Sequence, residues 1–257
     1  MKSILLFIYQ LVIWLPLFLI ITMLTALVTI VGCLLGGEKI FSYYPGMIWS
    51  RLVCMLTLCP VRVTGREKLL PNQSYIFASN HQGAYDIFLI YGYLGVPIKW
   101  IMKKSLRKIF LVGKACESAG FIFVDTSSAK AAGQTIREAE EKLQHGASIS
   151  IFPESTRSKT GRMGSFKKGA FQMALDLQLP IVPLTINGTF EVMPTKTLLI
   201  RPHRLELIIH DPIPATDEAP NDLREAAAAI RRLSDNTRAV IHSDLWEKYK
   251  DSKGEAR

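Results

Sequence analysis

From Ser3 to Gly37 the chain has no charged residue, and neither Lys99–Lys114 nor Arg157–Lys168 contains an acid. A charge-free run of about 35 residues is too long for a cleaved secretion signal, whose apolar region spans roughly 7–15. The same length argues against processing at Ile30-Val31-Gly32-Cys33. Cysteine is scarce. Cys33, Cys54, Cys59 and Cys116 form no Cys-x-x-Cys pair, and no His stands at ligand spacing from them, so no metal site is expected. Three of the four lie in apolar stretches, where cysteine behaves as a small hydrophobe. A Gly-x-Ser-x-Gly elbow is missing, which leaves a serine hydrolase without support. Gly164–Gly169 has the spacing of a phosphate loop but is followed by Ala170-Phe171, not Lys-Ser/Thr, which rejects a nucleotide site. Aromatic platforms interleaved with bases are also lacking, so no nucleic-acid partner is expected.

The 257 residues suffice for one α/β domain with an appendage. Hydrophobic residues make up 49 %, and the excess sits at the N-terminus. The formal net charge is +9. The six bases of Lys99–Lys114 and the five of Arg157–Lys168 together exceed it, so the remainder is slightly acidic. That pattern fits two focused anion sites, or a face held toward anionic lipid, better than a diffuse polycation. Two solvated basic loops are the plainer alternative.

As one straight helix, Ser3–Gly37 would measure roughly 52 Å, against a hydrocarbon core of about 30 Å. Pro16 falls near the middle, where it would bend or break a helix. Two short helices in one leaflet are therefore expected in preference to a single tilted span. Met47–Pro60 is a second apolar stretch. With Phe41, Tyr43, Tyr44 and Trp49 beside or within it, it reads equally as an interfacial helix or a buried one.

Beyond Pro60 short apolar runs alternate with helical patterns. Strands are expected at Val61–Val63, Ser74–Ser79, Phe121–Val124, Ala147–Phe152, Ile181–Ile186 and Leu205–Ile209. Helices are expected at Asp86–Leu94, Lys130–His145 (capped by Ser127 or Ser128 and stopped by Gly146), Gly169–Leu179 and within Asp222–Tyr249. Trp100–Leu106 reads as a basic turn. The implied fold is α/β, with a mainly parallel central sheet flanked by helices and an N-terminal hydrophobic helical segment.

Two strand-end loops carry chemistry. In Asn80-His81-Gln82-Gly83-Ala84-Tyr85-Asp86, His81 and Asp86 would lie about 140° apart on a continuous helix. They can meet only if His81 sits in the turn and Asp86 in the first helical turn, with Gly83 giving the backbone freedom to fold back. Asp86 would then hold one ring nitrogen and leave the other as a proton acceptor. In Phe152-Pro153-Glu154-Ser155-Thr156-Arg157-Ser158, Arg157 is a planar cation suited to phosphate oxygens. Glu154 could orient Arg157 or accept a hydroxyl. Taken singly, each loop is also compatible with an ordinary helix cap or an exposed ion pair.

Together and in this order, four blocks resemble the glycerophospholipid acyltransferase family: Asn80–Asp86, Gly120–Asp125, Phe152–Ser158 and Ile181–Leu184. The resemblance covers roughly residues 60–210. It implies acyl transfer to the sn-2 hydroxyl of lysophosphatidic acid, giving phosphatidic acid in phospholipid biosynthesis. The donor would be acyl-CoA or acyl-acyl carrier protein, with no other cofactor. His81 would be the general base and Asp86 its partner. Arg157 would bind the acceptor phosphate, assisted by Lys103 or Lys104, with Glu154 orienting the loop and Ser155 and Thr156 also at the phosphate site. Residues 1–60 would anchor the protein to membrane lipid, at the inner or plasma membrane in a bacterium, and 61–257 would form a catalytic domain on the cytoplasmic side. The family usually has Arg at the position of Thr126 and Gly at that of Ser155, and both departures bear on the acceptor. Another lysophospholipid or lyso-aminolipid acceptor stays open, as does a non-catalytic membrane lipid-binding protein.

Overall fold

The computed structural model describes residues 2–124, 147–195, 197–216 and 222–250. The helix expected at Lys130–His145, its flanking Ser127, Ser128 and Gly146, and Thr126 lie outside the described residues. Among the described residues seven strands form one sheet: β1 (Val61–Thr64), β2 (Ile76–Ser79), β3 (Ile98–Lys103), β4 (Ile122–Val124), β5 (Ser148–Ile151), β6 (Ile181–Asn187) and β7 (Leu205–Ile209). Their order is β1-β7-β6-β2-β5-β3-β4. Only β6 and β7 run antiparallel. At the centre, Phe77 of β2 stands opposite Ser150 of β5 and Val182 of β6. β2, β3, β5 and β6 therefore end on one rim, and in such sheets the functional crevice lies outside the carboxyl ends of the strands.

Successive side chains of β2 face opposite layers. Phe77 packs among Val53, Leu89 and Ile90 of two helices, α4 (Tyr44–Leu56) and α5 (Tyr85–Tyr93). Ile76 and Ala78 pack among Phe171 and Ala174 of α7 (Gly169–Leu177) and Ile230 and Leu233 of α9 (Leu223–Ser243). Cover on both faces explains why the central strands read as unbroken apolar runs. Asp222 caps α9 by accepting from the N–H groups of Arg224 and Glu225.

β3 takes up Trp100–Lys103, the first part of the turn expected at Trp100–Leu106, and the basic turn itself begins at Lys104. Lys99 interrupts the apolar run there, yet it is buried and its Nζ donates to Ala119 O at 2.6 Å. One of the six bases of that run is thus inside the molecule. Two more, Arg107 and Lys114, pair with Glu117 on α6 (Val112–Ser118).

The N-terminal segment also differs from expectation. α1 (Lys2–Tyr9), a π-turn (Gln10–Trp14) and α2 (Leu15–Leu34) run on as one helix, and Pro16 does not break it. Proline lacks an N–H and crowds the carbonyl four residues back. The wider turn just before it absorbs the misfit: Leu15 N–H reaches back five residues to Gln10 O. By length and composition Ile4–Leu34 is able to cross a membrane.

One stripe of this helix meets the domain. Trp14, Ala26, Thr29 and Gly32 are buried, and Phe18 and Thr22 lie between them at helical spacing. Polar groups fix the stripe. Ile200 N–H donates to Gln10 Oε1 at 2.9 Å, Trp14 Nε1 to Thr57 Oγ1 at 2.9 Å, and Trp49 Nε1 to Thr22 Oγ1 at 2.9 Å. The rest of the surface is exposed Leu, Ile, Val and Phe. α4 is buried on one side, as one of the two readings of Met47–Pro60 expects, and leaves apolar side chains exposed on the other. Val53 and Cys54 are fully buried, while Ile48, Leu52 and Met55 are exposed.

Candidate active site

The loop after β2 brings His81 and Asp86 together. His81 Nδ1 lies 2.7 Å from Asp86 Oδ2. The same oxygen accepts the N–H groups of Gln82 at 2.7 Å and Gly83 at 2.9 Å. An oxygen that takes two backbone donors is an acceptor toward the ring as well, so Nδ1 carries the proton. The lone pair of the neutral imidazole is then on Nε2. Asp86 is fully buried, whereas the His81 side chain is 15 % exposed. One face of the imidazole stacks on Phe152, centroids 3.8 Å apart, and Phe152 stacks on Trp100. The ring is thus held in plane while one edge reaches solvent.

Gly83 serves this turn differently from expectation. It does not adopt positive φ. A Cβ there would lie 2.9 Å from Thr189 O, so the position needs glycine for lack of space. Gln82 also ties the loop down, with Nε2 donating to Gly161 O at 3.1 Å and Oε1 accepting from Thr189 Oγ1 at 3.3 Å. Asn80 bonds both backbone groups of Ile186, at 2.8 and 2.9 Å, and so fixes the end of β2 against β6. Polar side chains next to a strand end are the only sequence signal for these two anchors.

Glu154 is buried and, among the described residues, bonds neither Arg157 nor any other basic side chain. Its Oε1 accepts His81 N–H at 2.8 Å and its Oε2 accepts Gly164 N–H at 2.8 Å. Among the phosphate-binding residues expected, Glu154 thus directs both carboxylate oxygens to backbone N–H groups and ties the two loops together. Burial pushes its carboxyl above the usual range, and the two backbone N–H bonds oppose that shift. Ser158 N–H donates to His81 O at 2.8 Å, a second link between the same loops.

Ser155, Thr156 and Arg157 are exposed on the rim. Lys103 ends β3 and Lys104 opens the 3₁₀ turn after it, both exposed on the rim beside β5. Ser155 has φ +63°, in the left-handed region where a side chain costs about 1–2 kcal/mol. Ser155→Gly is expected to relieve part of that, raising the melting temperature by about 1–3 °C after the added unfolded-state entropy of glycine. A lower melting temperature would show that the hydroxyl stabilises the loop. Among the described residues no three His, Cys, Asp or Glu side chains gather as a metal-binding group.

A family model described as Acyltransferase matches residues 60–187, which include both loops. A 1-acyl-sn-glycerol-3-phosphate acyltransferase of Cocos nucifera is 30 % identical over 210 residues, covering 81 % of this chain and 68 % of that protein. The chain belongs to the glycerophospholipid acyltransferase family. Another member, the chloroplastic 1-acyl-sn-glycerol-3-phosphate acyltransferase LPAT1 of Arabidopsis thaliana, is 33 % identical over 175 residues. The match covers 67 % of this chain and 49 % of LPAT1, so the chain spans about half the length of that relative. The family fold is seen in the crystal structure of the 1-acyl-sn-glycerophosphate acyltransferase PlsC from Thermotoga maritima. The two superpose with a TM-score of 0.72 at 24 % identity, over 96 % of this chain and 98 % of that one.

Proposed function

We propose that this acyltransferase moves a fatty acyl group from acyl-CoA or acyl-acyl carrier protein to the sn-2 hydroxyl of 1-acyl-sn-glycerol-3-phosphate. The observation that carries the reading is the His81–Asp86 pair on the sheet rim, with Nδ1 engaged and Nε2 left as a base. A glycerol hydroxyl is a poor nucleophile at neutral pH. As its oxygen attacks the thioester carbonyl, Nε2 takes the hydroxyl proton, and Asp86 stabilises the imidazolium that forms. The tetrahedral carbon then expels the thiolate, which takes the proton back from Nε2. The ester C–O bond replaces the C–S bond in a direct transfer, and the reaction as written needs no cofactor beyond the acyl carrier.

Arg157 is assigned to the acceptor phosphate. It is exposed on the same rim, forms no hydrogen bond or ion pair among the described residues, and presents a fork that matches phosphate oxygens. Arg157→Ala is expected to raise KM for lysophosphatidic acid about 10–100-fold, the worth of one or two charge-assisted hydrogen bonds. The change in kcat should be smaller. An unchanged KM would remove Arg157 from the site. The reaction itself is tested by supplying the purified enzyme with each donor and a panel of lysophospholipids in detergent micelles. Phosphatidic acid formed from lysophosphatidic acid supports the assignment. Turnover of a different acceptor alone would move it to that acceptor, with Ser155 and Thr126 the first residues to exchange.

Membrane attachment fits the substrates, since both acyl chains are insoluble. The fastened stripe from Gln10 to Gly32 covers roughly 34 Å of helix, more than the hydrocarbon core of about 30 Å. A helix bound to its own domain over that length cannot cross alone. The reading is therefore a protein seated in one leaflet, on the cytoplasmic side where acyl donors are found.

A further inference from the structure

We propose that the turn Lys104–Phe110 is a second lipid contact, separate from the N-terminal helix, that seats the catalytic rim on an anionic membrane surface. The inference rests on the membrane attachment read above. The 3₁₀ turn Lys104–Lys108 and the two residues after it present Leu106 at 41 %, Ile109 at 48 % and Phe110 at 81 % exposure. A phenyl ring so exposed is unusual for a water-facing loop, and three large apolar side chains in five residues make a patch.

The patch is held out by an ordered backbone. Val112 N–H bonds Phe110 O, and Gly113 N–H bonds Ile109 O at 2.8 Å. Leu111 is forced to φ +56°, a conformation that L residues rarely adopt. Gly113 packs so closely that a Cβ there would lie 2.1 Å from Arg107 O. Arg107 pairs with Glu117 and stands over the Phe123 ring. A strained and firmly braced turn that ends in a bare phenyl ring makes physical sense if the ring lies in lipid.

Two observations choose lipid over another protein. The turn leads directly into α6, which packs on α2, so the patch lies on the side of the domain that carries the apolar N-terminal helix. Exposed bases flank it as well, Lys103, Lys104 and Lys108, with no acid between Lys99 and Lys114. Apolar side chains beneath a ring of cations match the boundary between acyl chains and anionic headgroups.

The test places an environment-sensitive fluorophore on a cysteine at position 110, 27 or 223 of the full-length protein. Cys33 and Cys116 are replaced by Ala, and Cys54 and Cys59 are buried. Leu27 reports the N-terminal helix. Leu223 is 90 % exposed at the start of α9, on the opposite face of the sheet. Each labelled protein is first shown to melt as the unlabelled one does, then bound to vesicles carrying doxyl-labelled lipid. In vesicles containing phosphatidylglycerol the label at 110 should be quenched as at 27, with 223 unaffected. Quenching at 110 should weaken in pure phosphatidylcholine. Quenching at 27 but not at 110 overturns the second contact and leaves the seating of the helix intact. No quenching at either position overturns both. Equal quenching at 110 in the two lipids overturns the anionic preference.

Discussion

His81→Ala is expected to lower kcat by at least about a hundredfold, within the 10²–10⁴ that a positioned general base supplies. KM for the acceptor should change little, because in the proposed mechanism Arg157, not the imidazole, holds the acceptor. The loop should survive the change. Its anchors are the Asn80 bonds to Ile186, the Glu154 bond to the backbone of residue 81, and Gln82 on Gly161. None of these uses the imidazole. The melting temperature in detergent is therefore the control that separates lost chemistry from lost structure. A variant that keeps full activity would leave His81 as a stacked structural residue on Phe152, and the mechanism would fail.

Asp86 is expected to show two different losses, depending on the substitution. In Asp86→Asn the amide oxygen can take the place of Oδ2 and keep its three donors. The amide nitrogen then occupies the position of Oδ1, a buried atom without a hydrogen-bond partner. The fold should be retained while the charge that balances the imidazolium is gone, at a cost of about 10²–10⁴ in kcat. In Asp86→Ala the Gln82 and Gly83 N–H groups and His81 Nδ1 lose their acceptor in a buried site. At about 1–3 kcal/mol for each unsatisfied group, the protein should be destabilised by several kcal/mol. The double variant His81→Ala/Asp86→Asn should be no slower than His81→Ala alone, because the two residues act as one unit. Additive losses would mean that Asp86 acts on the reaction without His81.

The sheet was legible because central parallel strands are buried on both faces and so appear as short apolar runs between turn residues. β3 was the exception. Its Lys99 neutralises the apolar signal, and the carbonyl of Ala119, brought in by the fold, helps make burial of that ammonium tolerable. Pro16 departs from its local expectation for a related reason. A local rule says that proline breaks helices, while the π-turn before it and the stripe of contacts after it hold this helix together. At the site, spacing made a His81–Asp86 contact possible because it closes within one loop, and the order of the four blocks, not the spacing alone, selected it. The partner of Glu154 could not. Sequence offers it Arg157 three positions away, but its carboxylate goes to the backbone of His81, 73 residues earlier, and to Gly164. A side chain that serves distant backbone amides leaves no pattern in the sequence around it.

That carboxylate limits what can be transplanted between acceptor specificities. The segment carrying Arg157 cannot be exchanged as a free-standing module. Glu154 within it sets the height of His81, and Gly164, beyond the segment, sets the height of Glu154. A graft confined to residues 155–157 leaves the Glu154 and Ser158 bonds to the backbone of His81 in place, so the base stays where it is and only the exposed rim beside it changes. A graft that also replaces Glu154 moves the base itself, so a new acceptor would be gained together with a slower reaction.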